Sequence, residues 1–85
     1  MRLITVMIIC KNILDVTNIK ECCCYIGVTG IIEYFANYGQ RHSLIGPAII
    51  YTNGDTSFYI NNVHVGRNLS NEEFKNIVKK IIFSS

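Results

Sequence analysis

The feature that most constrains this chain is a turn dipeptide, Asn53–Gly54, set between the apolar runs Pro47–Tyr51 and Thr56–Ile60. Asn and Gly accept the positive φ angles of a two-residue hairpin loop, so the pair reads as the tip of an antiparallel hairpin. Such a loop places Tyr51 opposite Thr56, Ile50 opposite Ser57 and Ile49 opposite Phe58. Asn61–Asn62 follows as a second turn and sets Ile60 opposite Val63, Tyr59 opposite His64 and Phe58 opposite Val65. The two registers, derived separately, gather Ile49, Tyr51, Phe58, Ile60, Val63 and Val65 on one face. They leave Ala48, Ile50, Ser57, Tyr59 and His64 on the other. The expectation is a β-meander over residues 47–65.

The segment 70–83 reads as a helix. Ser70-Asn71-Glu72-Glu73 is a capping box, in which the Ser70 side chain serves the Glu73 amide and Glu73 reaches back. Leu69 stands ready to staple onto Phe74. Phe74, Ile77, Val78, Ile81 and Ile82 then form one helical stripe. Acids open the helix and lysines close it, as the macrodipole prefers. The stripe is expected to pack on the Ile49/Phe58/Ile60 face, all five positions acting as anchors.

Upstream, Arg2–Cys10 reads as a strand, Lys11–Glu21 as a loop or one helical turn, and Cys22–Val28 as a strand with Gly27 marking a bulge. Ile31–Asn37 reads as the next strand. The whole is one α+β domain, 1–85: an antiparallel meander of five to six strands with one C-terminal amphipathic helix packed on it. Its parts are N-terminal strands (1–30), hairpins (31–66) and the helix (70–83).

Composition narrows the functional classes. Hydrophobic residues make up 49% of the chain and charged residues 16%. That is ample for a domain of this size, and it leaves apolar surface for a partner or a second copy unless the core absorbs it. A net charge of +2 lacks the basic stripe of a nucleic-acid binder. The run Leu3–Cys10 is too short to span a membrane and has no small-residue cleavage site after it, so a cytoplasmic location is expected. Cys10, Cys22, Cys23 and Cys24 have neither disulfide-framework nor zinc-ligand spacing. Free thiols in a reducing compartment are expected, with no metal and no cofactor.

The chain also resembles itself. Tyr34-Phe35-Ala36-Asn37 matches Phe58-Tyr59-Ile60-Asn61, and each is followed by a histidine, His42 or His64. Between them lies Gly46-Pro47-Ala48 and then Asn53–Gly54. This pattern resembles the MORN-like hairpin repeats of viral and bacteriophage proteins, which combine an aromatic pair, Asn-Gly, a His-Arg-like pair and Asp-Gly-Pro-Ala. The resemblance spans residues 31–83, with Ile45 where the usual Asp stands and Asn62 where the usual Gly stands. It implies a structural repeat of viral origin rather than an activity.

No arrangement of nucleophile, base and orienting group is evident, and no phosphate-binding glycine loop, so an enzyme is not expected. Tyr59, His64, Ile50 and Phe35, with Arg41 and His42 nearby, form the expected partner-binding face, since Tyr and Arg are common interface anchors. The N-terminal strands covering that face as a second layer is the other reading. The viral resemblance, the small size and the absence of catalytic residues together lead to the expectation of a small non-enzymatic inhibitor of a host protein machine, of the anti-defence (anti-CRISPR) type. A nucleotide-messenger sponge and an accessory structural module are the alternatives.

Overall fold

The computed structural model describes residues 8–83. In chain order the elements are β1 (Ile8–Cys10), a 3₁₀ helix (Ile13–Asn18), β2 (Cys23–Ile26), β3 (Ile32–Ala36), β4 (Gln40–Arg41), β5 (Ile49–Ile50), β6 (Thr56–Ile60), β7 (Val63–Arg67) and α1 (Asn71–Phe83). The strands form one sheet in the order β1-β2-β3-β5-β6-β7, and β4 pairs with β3 beside β5. The expected strand over residues 2–7 lies outside the described residues.

The sheet is mixed. β1 runs parallel to β2, while every other pair is antiparallel. The expectation of a purely antiparallel meander is therefore corrected at the N-terminus. A parallel pair needs a crossover of about a dozen residues, and residues 11–22 supply it. The crossover holds a 3₁₀ helix because Asn12 caps it, its side chain accepting from the Leu14 amide at 2.9 Å. Gly27 closes β2 rather than bulging it. Its amide donates to the Ile31 carbonyl at 2.8 Å and its carbonyl accepts from the Gly30 amide at 2.9 Å, which makes the β2–β3 turn.

The first hairpin loop has one residue more than expected. Tyr51 N–H donates to the Asp55 carbonyl at 2.9 Å and Gly54 N–H to the Tyr51 carbonyl at 3.1 Å. The loop is thus Thr52-Asn53-Gly54, and only Gly54 of the dipeptide takes a positive φ, 93°. Asn53 spends its side chain on the Asp55 amide, 2.9 Å away. That local bond competes with the two-residue turn. The register becomes Ile49 opposite Ser57 and Ile50 opposite Thr56. A one-residue slip exchanges faces, so Ile49 leaves the Phe58 side and Ile50 joins it.

The second turn is as expected. Asn61 and Asn62 have φ of 49° and 68°, Ile60 faces Val63, and Tyr59 faces His64. Beyond it, Phe58 pairs with Gly66 and not with Val65. Leu69 fills the space above Gly66, where an added Cβ would come within 2.6 Å of its side chain. The extra residue, Val65, brings the residue without a side chain opposite Phe58. Val63, expected in the core, is 62% exposed.

Tracing the register separates the two faces. Cys23 pairs with Phe35, Glu33 with Ile49, and Ile49 with Ser57. These residues share one face with Tyr59 and His64, since alternate residues of a strand point the same way. There Cys10, Val16, Cys23 and Phe35 form a buried cluster under the 3₁₀ helix. On the opposite face, Phe58, Ile60 and Phe74 form a second buried cluster, with Val65, Leu69 and Val78 against it. The two clusters thus lie on opposite sides of the sheet.

α1 is anchored at its start. Ser70 Oγ accepts from the Glu73 amide at 3.1 Å, and Glu73 accepts from the Ser70 amide at 2.9 Å, which completes the capping box. The Phe58 and Phe74 rings meet at 4.7 Å between centroids. Burial then declines along the helix: Phe74 is buried, Ile77 and Val78 are half-buried, and Ile81 and Ile82 are exposed. The expectation that all five positions act as anchors is corrected to one strong anchor and two partial ones. Among the described residues no helix is long and apolar enough to cross a membrane.

Candidate functional site

β4 and β5 occupy the same edge of β3, β5 alongside its first half and β4 alongside its second. The chain between them must leave the sheet and return to it. It does so around a single residue. Tyr34 N–H donates to the Ala48 carbonyl at 2.7 Å, and the Tyr34 carbonyl accepts from the His42 amide at 3.2 Å. Residues 43–47 are therefore pinched out as a loop whose two ends share one anchor. Further bonds fix each end: Ser43 N–H donates to the Tyr59 carbonyl at 3.1 Å, and Ala48 N–H to the Ser57 carbonyl at 2.9 Å. Gly46 and Pro47 bring the loop back to the sheet.

The loop carries Leu44 and Ile45 outward, Leu44 45% and Ile45 94% exposed. Two open clefts lie on either side of this apolar pair, both walled by it. One, of about 520 Å³, is lined by Tyr34, Ile50, Pro47, His42 and Cys22. The other, of about 650 Å³, lies against α1, where Phe74 and Val78 meet Lys75 and Lys79. Volumes of this size admit one or a few side chains or a small ligand. The first cleft has no Lys or Arg in its lining.

The partner-binding face expected from sequence is divided by the sheet. Phe35, Arg41, Tyr59 and His64 belong to one side. Ile50 and His42 belong to the other, where they line the first cleft, to whose wall Phe35 and Cys23 also contribute. Phe35 is buried in the cluster under the 3₁₀ helix, so at that end the face is covered by this helix, whereas the N-terminal strands extend the same sheet and form no second layer. Arg41 donates from Nε and Nη2 to Glu33 Oε1 at 3.1 and 3.0 Å, and its guanidinium stands 5.8 Å from the centroids of both Phe35 and Tyr59. Those two rings hold equivalent places in the repeated segments. Tyr59 and His64 meet edge to face at 5.0 Å, as the register from the Asn61–Asn62 turn requires.

His42 and Arg41 also have structural duties. His42 Nδ1 accepts from the Asn61 amide at 2.9 Å. The Arg41 amide donates to Asn62 Oδ1 at 3.2 Å, and the Arg41 carbonyl accepts from the Asn62 amide at 2.8 Å. The β6–β7 turn is thereby latched to β4, and burial holds the His42 imidazole below its ordinary pKa. Cys10, Cys23 and Cys24 are buried and Cys22 is exposed. Burial, and then the neighbouring Cys10, pushes the Cys23 thiol up to about 11. A thiol so placed is a poor nucleophile at neutral pH.

Sequence reasoning passed over Leu44 and treated Ile45 only as a departure from the repeat pattern. Their signal was present as an apolar pair inside a segment otherwise read as punctuation, between His42-Ser43 and Gly46-Pro47. No protein-family model, no curated protein and no solved structure matches this chain.

Proposed function

We propose that this chain is a small non-enzymatic binding protein that acts by occupying a surface of a partner protein, with the Leu44–Ile45 loop as its contact. The observation that carries the reading is the combination of near-complete exposure of Ile45 with a loop base fixed twice on Tyr34. Exposed apolar side chains on a pre-organised support lose little conformational entropy on binding, which favours their use as anchors. The flanking clefts supply the concave surface that a partner's own side chains fill.

In the form implied by the resemblance to phage hairpin repeats, the partner is a component of a bacterial host's defence machinery and the chain inhibits it. The mainly apolar lining of the first cleft favours a protein contact over a nucleotide messenger, whose phosphates call for cations or converging amides. The test is co-purification from bacterial extract with the tagged chain and its Ile45→Asp variant, paired with a plasmid-interference assay for CRISPR activity. Wild type retains a stoichiometric partner and relieves interference, and the variant does neither. A complex indifferent to Ile45→Asp, or none at all, refutes the reading.

A further inference from the structure

The two clefts and the loop between them form one continuous surface with an uneven charge. Its lining includes Lys75 and Lys79 on one turn of α1, and no Asp or Glu contributes to either cleft. The cations stand beside Phe74 and Val78, so that an apolar floor has a positive rim on one side only.

We infer that the occupant of this surface is an acidic, apolar segment of a partner protein. It straddles the Leu44–Ile45 ridge, sets apolar side chains into both clefts, and aligns carboxylates with Lys75 and Lys79. This inference rests on the binding role assigned to the loop and adds the chemistry of the partner. Charge complementarity of this kind selects partners and speeds their encounter. A second copy of the chain is a poorer occupant, because docking two such faces together brings the Lys75 and Lys79 pairs of both copies into one interface without a carboxylate from either lining. A membrane surface is poorer too. A lipid bilayer presents no side chains to fill concave clefts on both sides of a ridge, although anionic headgroups would satisfy the lysines.

The test uses the whole chain as bait for a displayed library of random peptides of about a dozen residues, a length that spans a groove of this kind. Selected peptides are then synthesised and their affinities measured by fluorescence anisotropy. The expected winners combine two or more large apolar residues with Asp or Glu. Their affinity falls at least about tenfold with Ile45→Asp and with the Lys75→Glu/Lys79→Glu double variant, and it falls again as salt rises. All three sites are exposed, so the variants fold, and circular dichroism verifies it. Neutral or basic winners overturn the inference, as do acidic winners indifferent to both variants. So do Ile45-dependent binding to vesicles containing phosphatidylserine and an Ile45-dependent dimer in sedimentation. If the library yields no binder while the Ile45-dependent complex from extract forms, the acidic-segment inference fails and the binding role stands. If that complex is absent, both fall.

Discussion

The backbone amide of Asn61 donates to Nδ1 of His42 at 2.9 Å. The bond requires an unprotonated Nδ1, so the imidazole is neutral in the folded chain and carries its proton on Nε2. Burial lowers its pKa from the ordinary 6.5. Protons therefore bind the unfolded state more readily than the folded one as pH falls through that value. The stability contributed by His42 is complete above about pH 7 and lost progressively on acidification. Urea midpoints measured from about pH 7.5 to about pH 5 should decline. In His42→Asn, whose side chain still offers an acceptor but does not titrate, the decline should be smaller. The carboxylates of Asp55, lowered mainly by its hydrogen bond with Arg67, and Glu73, lowered by the Ser70 amide, lose their contribution only as pH falls below the ordinary carboxylate range.

Arg41 joins Glu33 to the two equivalent rings, Phe35 and Tyr59. Its side chain is 41% exposed, so the ion pair is screened and the stacking counts as a surface contact. Arg41→Ala should lower unfolding free energy by about 1–2 kcal/mol. Arg41→Lys should recover less than half of it, because an ammonium lacks the planar face and the fork. Chemical denaturation of the three proteins checks the ordering.

Thiol accessibility divides the cysteines. In native buffer a disulfide reagent such as Ellman's should titrate Cys22 rapidly, and Cys10, Cys23 and Cys24 only after denaturant is added. The raised Cys23 pKa reinforces the difference. Fast reaction of Cys10 or Cys23 in the native protein would show that the cluster under the 3₁₀ helix opens readily.

Along α1, substitutions should not cost alike. Phe74→Ala removes the ring that meets Phe58 and should cost about 3–5 kcal/mol. Phe74→Leu should cost less and keeps the comparison open if the alanine variant does not fold. Ile82→Ala, at a position 57% exposed, should change stability by less than about 0.5 kcal/mol. Thermal melts followed by circular dichroism distinguish these outcomes.

Features governed by neighbours in the chain were legible from sequence. The Ser70/Glu73 cap needs only residues three apart, and the Asn61–Asn62 turn sets the Tyr59–His64 contact by itself. The Asn53–Gly54 turn misled because the Asn53 side chain reached the Asp55 amide, and one added loop residue moved Ile49 and Ile50 across the sheet. The parallel β1 and the division of the β3 edge between β4 and β5 depend on distant pairing, which no local pattern encodes. The candidate site depends on that division. Leu44 and Ile45 are conspicuous only once Tyr34 is seen to hold both His42 and Ala48.

The apolar clusters lie on opposite sides of the sheet, and each is made from one half of the chain: Cys10 to Phe35 in one, Phe58 to Val78 in the other. A protease cut at Ile45 would leave every member of each cluster on its own fragment. The fragments would still be stitched together by backbone bonds from Tyr34 to Ala48, Ser43 to Tyr59 and Asn62 to Arg41. The molecule is thus built like two hemispheres sharing a seam, and a nicked form should survive as a reversible heterodimer whose dissociation reports the strength of that seam alone.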